Sequence, residues 1–302
     1  MEVTSKFHKF WEGYLRDRLF IVCFFAVLYY YASDQLTLVP GTRVVLFYFC
    51  TLFAVAEILD RQYSYPIAET FMSLSVPLAV AFMSVGLQAT FSLYSNIVAE
   101  LPNVEWLGGA TASMLFTVLI GFCIGAAGYM LKKDGSSEVR RPVSRLGVFL
   151  LFSIIQIPLG HALAEGIGLP DAIKLRPLLL IAGLSILFAI SRNTKGLAEN
   201  LADSSLVAII IGIFVSVISL YSNFGKLPQY HFIEPHVFFQ VTNNAHDLFL
   251  YGSWLYIFSF FLSLRLIGFA EVDFKKRNWH MLEAIGFYVF MTLAAPSIFE
   301  LV

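Results

Sequence analysis

The sequence predicts an all-α, polytopic integral membrane bundle of about nine transmembrane helices, with the N-terminus cytoplasmic and the C-terminus outside. Three observations predict it. Hydrophobic residues make up 58% of the 302-residue chain and charged residues only 14%, against about 25% charged in an ordinary soluble domain. The apolar residues fall in blocks of about 20, the length that spans a hydrocarbon core of roughly 30 Å as helix. The basic residues lie almost entirely on one side of the alternation those blocks define.

The blocks follow in order. Residues 19–35 form the first, and its run Leu19–Tyr31 ends in Tyr29-Tyr30-Tyr31 rather than in a small-x-small cleavage site, so it reads as a retained span and not a secretory signal. Ahead of it, Phe7, Phe10, Trp11 and Tyr14 recur at spacings of three and four, with Lys6, Lys9 and Arg16 mostly elsewhere on the wheel. Residues 1–18 therefore read as an amphipathic cytoplasmic segment lying in the membrane surface. Everything from 19 to 302 reads as one transmembrane domain.

Pro40-Gly41 opens the second block, 43–60, which closes on Asp60-Arg61; Pro66 starts the third, 66–90, in which Pro77 should bend the helix. The fourth, 108–131, follows Pro102 and carries Gly121, Gly125 and Gly128, a small-residue face that lets helices approach closely. The charged stretch Lys132–Arg145 leads into the fifth, 146–168, with Pro158 inside it, and Pro170 separates that from the sixth, 176–192. Asn193–Asp203 precedes the seventh, 204–223; Pro228 and Pro235 lie ahead of the eighth, 246–269; Glu271–Asn278 leads into the ninth, 281–301.

With the N-terminus inside, the cytoplasmic side holds sixteen of the 20 Lys and Arg residues and leaves only Arg43, Lys174, Arg176 and Lys226 outside. The positive-inside rule predicts a bias of this sign, and a missed span would scramble it. The net charge of −1 gives no basic surface for nucleic acid. Cys23, Cys50 and Cys123 all sit in apolar blocks and read as small hydrophobes.

Two groups of residues can carry chemistry. On the outer side, His161 and Glu165 are four apart near the end of the fifth block and share a helix face. The segment 224–245 and its continuation add His231, His236 and His246, among Phe224, Tyr230, Phe232, Phe238 and Phe239. Imidazoles ligate zinc, copper and haem iron, so His161, His231, His236 and His246 are the candidate ligands for a transition metal or haem. Their spacing matches no metal motif, and interfacial histidines bonded to loop backbone are the simpler account. The aromatic loop itself reads as an interfacial helix or re-entrant segment.

On the inner side, Glu57 and Glu69 lie at the ends of the second and third blocks, beside Asp60 and Arg61. Together with His161 and Glu165 they are the candidate solute- or ion-binding residues; the simpler account is a helix-end network neutralised by Arg61. At the other end of the eighth block, Arg265 reads as a snorkelling residue or a partner of Glu283 in the ninth.

The chain lacks a Walker loop, Gly-x-Ser-x-Gly, His-Glu-x-x-His and Cys-x-x-Cys, and no motif decides for or against catalysis. The expectation is a multi-pass protein of the cell membrane that moves a solute or ion. A membrane-embedded metal- or haem-binding redox enzyme or subunit is one alternative, and a structural or assembly subunit of a larger complex is another. The expected partners are membrane lipids, other membrane proteins or further copies of the chain, and no nucleic acid.

Overall fold

The computed structural model describes residues 15–36, 42–96, 104–132, 140–166, 175–192, 196–224, 235–266 and 272–299, together with Ser5, His8 and Trp11. Among the described residues there are nine α-helices and no strand. These are α1 (Arg16–Leu36), α2 (Thr42–Tyr63), α3 (Ile67–Asn96), α4 (Val104–Leu131), α5 (Arg145–Gly166), α6 (Leu175–Ser191), α7 (Leu197–Phe224), α8 (Pro235–Arg265) and α9 (Phe274–Phe299).

Local chemistry sets the helix ends. Ser64 takes φ 54°, a left-handed conformation that ends α2, and the Tyr65 N–H turns back to the Leu59 carbonyl at 3.1 Å. With Pro66 next, the chain reverses at once, so α2 and α3 are antiparallel neighbours. Ser144 caps α5 by accepting a hydrogen bond from the Gly147 N–H at 2.9 Å. Pro235 opens α8 at a position where its missing N–H would be unpaired in any case.

Each apolar block lies mostly within one helix, and several helices begin well before their blocks. α7 begins at Leu197 rather than 204, α9 at Phe274 rather than 281, and α8 at Pro235 rather than 246. The reason is that hydropathy reports where a helix becomes uniformly apolar, whereas its first turns can stay helical with polar side chains turned to partners. The segment 224–245 therefore divides: 225–234 lie outside the described residues, and Pro235 onward is the start of α8, not a loop. Most of 1–18 also lies outside the described residues.

α3 is the central element, packed against α2, α4, α5, α8 and α9. Phe71, Leu74, Leu78, Val80 and Ala81 on it are fully buried, as are Leu52 and Leu59 of α2 and Phe261 of α8. α4 comes closest to α3 through glycines. A Cβ at Gly121 would overlap the Ala79 Cβ, and one at Gly128 would lie 2.9 Å from the Ala68 carbonyl. α7 and α8 form the other tight pair, where a Cβ at Gly252 would sit 2.7 Å from Ile209 and 3.0 Å from the Ser205 carbonyl. α1 rests on α2 through Phe25 on Phe49, ring centroids 4.0 Å apart.

Polarity is distributed unusually. Ser75, Ser84, Ser204, Ser205, Ser253 and Ser259 are wholly buried, whereas Ile157 is 71% exposed, Ile190 74% and Phe290 67%. Large aliphatic and aromatic side chains also project outward from α1, α4, α5, α6 and α7. Two described stretches, Ile67–Ser84 in α3 and Leu197–Ile218 in α7, are long and apolar enough to cross a membrane.

Candidate functional site

Among the described residues, most charged groups collect at one end of the bundle, where α1, α3, α5, α7 and α9 begin and α2, α6 and α8 finish. Three nodes make up this end.

The most buried node joins α9 to α7 and α3. The Arg277 guanidinium donates to Asp203 Oδ1 through Nε at 2.9 Å and Nη2 at 2.7 Å, and lies 3.5 Å from Glu199. Arg192, at the end of α6, reaches the other Asp203 oxygen at 2.8 Å. Glu199 and Asp203 can both face Arg277 because they are four residues apart on α7. Asn278, beside Arg277, turns to α3: its Nδ2 donates to the Met72 carbonyl at 2.6 Å and the Ser73 carbonyl at 3.1 Å. The Ser73 carbonyl needs this partner, since Pro77 four residues on has no N–H to offer. Tyr256 of α8 completes the node by donating to Asn278 Oδ1 at 3.4 Å.

The second node joins α1 to α2. Arg18 Nε donates to Glu57 at 3.0 and 3.1 Å, its Nη2 reaches Asp60 at 2.8 Å, and Arg61 donates to Glu57 at 2.7 Å. Burial alone would lower the Arg18 pKa, but the hydrogen bonds and charges of Glu57 and Asp60 outweigh it and hold the guanidinium above its ordinary value. Replacing Glu57 by Gln should destabilise the folded protein by about 1.5–3 kcal/mol, the usual worth of a hydrogen bond to a charged group. Replacing exposed Arg61 by Ala should cost less than about 1 kcal/mol. Thermal unfolding in mild detergent measures both; equal losses would show that the exposed and sheltered arms of the network contribute alike.

The third node pins the segment before α5. Arg140 pairs with Glu69, in the first turn of α3, and its guanidinium lies 4.9 Å from the centre of the Tyr65 ring. Burial, with the nearby Glu69 charge adding to it, pushes the Tyr65 phenol well above its usual range, so it remains neutral.

Buried hydroxyls run through the interior away from these nodes. Ser205 and Ser216, eleven residues apart and hence on one face of α7, have no hydrogen-bond partner for Oγ among the described residues, and neither do Ser75 and Ser84 on α3. On α8, Asp247 is 3% exposed, one turn before Tyr251, which packs with Ile181 of α6 and Ala208 of α7.

Of the residues singled out by sequence, Glu57 and Glu69 are both held in ion pairs, Glu57 by Arg18 and Arg61 and Glu69 by Arg140. His161, Glu165, His236 and His246 fall on α5 and α8, but their side chains lie outside the described residues, as does His231 altogether. Among the described residues no group of three or more His, Cys, Asp or Glu side chains is placed to hold a metal. Glu283 pairs with His280 at 3.0 Å within α9 rather than with Arg265. The residues that sequence reading missed are Asp203, Glu199, Arg277 and Asn278. Their signal was present as an acidic pair at i, i+4 just before one apolar block and an Arg-Asn just before another. No family model matches the chain, and no curated protein or solved structure compared with it is similar.

Proposed function

We propose that the chain is a multi-pass protein of the cell membrane, with about nine spans, its N-terminus cytoplasmic and its C-terminus outside, and that it moves a solute or ion. The observation that carries the reading is an apolar exterior around an interior that also holds polar groups: leucine, isoleucine and phenylalanine face outward, while α3 and α7 bury serine hydroxyls that have no partner among the described residues. Lipid suits the first as solvent, and a hydrated path suits the second, since hydroxyls sealed in protein normally find partners. Pro77 inside α3 supplies the irregular backbone such paths use, and Pro158 in the sequence of α5 should add to it.

Two measurements test this. In a background free of Cys23, Cys50 and Cys123, a cysteine at Lys133 should react with a membrane-impermeant thiol reagent only from the cytoplasmic side, and one at Lys226 only from outside. Labelling of both from one side would overturn the topology. Cysteines at Ser205 and Ser216 should react with a small water-soluble thiol reagent although both positions are buried, whereas a cysteine at Leu78 should not. If all three stay unreactive, the hydroxyls are sealed packing groups and the transport reading fails in favour of a structural subunit.

A further inference from the structure

Most arginines at the charged end are neutralised, but among the described residues three have no such partner. Arg141 and Arg145 are exposed and take part in none of the ion pairs just described, and Arg265 has its Nε shut off from solvent with no hydrogen-bond partner. A donor of a charged group left in that condition is costly unless an acceptor reaches it.

The packing of α5 on α8 puts these three residues at one end of that pair. α5 and α8 run antiparallel, fixed by Phe152 against Phe258 at 5.1 Å and against Phe261 at 6.4 Å. Arg145 lies seven residues before Phe152, and Arg265 seven after Phe258. Seven residues are close to two helical turns, so each arginine shares the face of the phenylalanine in the contact, and both stand at the same end of the pair. The segment leading into α5 is held firmly: Arg140 pairs with Glu69, Val143 is 1% exposed and Ser144 caps the helix. Arg141 and Arg145 are therefore carried on a fixed stretch of backbone rather than on a loose loop. One and four residues beyond Arg145 on the same helix, Leu146 is 67% exposed and Phe149 66%.

Guanidinium groups are built to hold phosphate through several donors at once. Three of them beneath an exposed strip of leucine and phenylalanine match one molecule with a phosphate head and an acyl tail. We infer that Arg141, Arg145 and Arg265 form a headgroup site for an anionic phospholipid at the cytoplasmic junction of α5 and α8, with Leu146 and Phe149 against its acyl chains. The inference rests on the membrane reading, which puts this end at the interface, where basic residues engage anionic lipid heads. A free phosphate would satisfy the arginines but not the apolar strip, and this favours the lipid.

The test uses the full chain purified in mild detergent and titrated with short-chain phosphatidylglycerol, phosphatidylcholine and inorganic phosphate at matched ionic strength. Phosphatidylglycerol should bind in preference to phosphatidylcholine. Arg145→Gln and Arg265→Gln should each weaken it by about fivefold, the effect of one basic residue near an anionic surface. Inorganic phosphate should not displace it. Equal binding of the two lipids, wild-type binding in both variants, or displacement of the lipid by inorganic phosphate would each overturn the site. Alkaline carbonate extraction of native membranes, run alongside, separates the two levels of the argument. Protein that stays with the membrane yet shows no lipid preference defeats the site alone, and protein released to the supernatant defeats the membrane reading with it.

Discussion

Replacing Arg277 by Ala should destabilise the folded protein by about 3–5 kcal/mol, the range for breaking a buried ion pair by removing one partner. The Arg277 side chain is 10% exposed and that of Asp203 15%, so the carboxylate left behind would be largely cut off from water. Arg192 still reaches Asp203 but is 47% exposed, so its screened charge should bring the loss toward the lower end of that range. Arg192→Ala by itself should cost no more than about 1 kcal/mol for the same reason. Exchanging both members of the buried pair, Arg277→Met with Asp203→Met, should be milder than Arg277→Ala, because the Asp203 carboxylate is then removed with its partner; only Glu199, 3.5 Å from Arg277, and the exposed Arg192 lose a contact. Equilibrium unfolding in mixed micelles measures each of these variants. A harmless Arg277→Ala would mean that the node is solvated, and the burial argument would fall.

The second large effect concerns helix packing, and it predicts opposite signs for one substitution at two glycines. In α4, Gly121→Ala puts a methyl group onto Ala79 and within 3.1 Å of the Ser75 carbonyl, both on the neighbouring helix α3. Overpacking of this kind costs about 1–3 kcal/mol, and Gly121→Leu should prevent α4 from docking in its present register. In α6, nothing lies within 4 Å of a Cβ at Gly183. There Gly183→Ala should be neutral or stabilising by up to about 1 kcal/mol, because alanine is the better helix former. Unfolding measurements on the pair isolate close approach from backbone propensity; matching signs would refute the tight α3–α4 contact.

The sequence made the helices legible because each apolar block is long and bounded by Pro, Gly or charge, so class and order followed from composition and spacing. It made the helix starts less legible. In α7 the stretch Leu197–Asp203 carries Glu199, Asn200 and Asp203, which by hydropathy reads as connection. It is helical because Glu199 and Asp203 turn to Arg277, a residue 74 positions beyond Asp203. The same limit hid the candidate site. Glu57 attracted notice through its neighbour Arg61, but its second partner, Arg18, belongs to the preceding helix and lies 39 residues back. Asn278 has no signature at all, since what it binds is backbone on α3, and only the fold brings Met72 and Ser73 to it. Gly121 was recognisable by its spacing to Gly125, whereas the identity of the helix that fills the gap was not.

The way Asn278 meets α3 has a mechanical consequence. A proline in a long helix ordinarily leaves a weak point, because the turn preceding it is missing a rung and can flex. Here the rung is supplied from another helix, by an amide that spans the Met72 and Ser73 carbonyls. The stiffness of the central helix at Pro77 is thus lent to it by α9, and it lasts only while α9 stays docked. A shift of the first turn of α9 would withdraw the rung and restore the joint, so α9 acts as a removable splint on the helix around which the bundle is built.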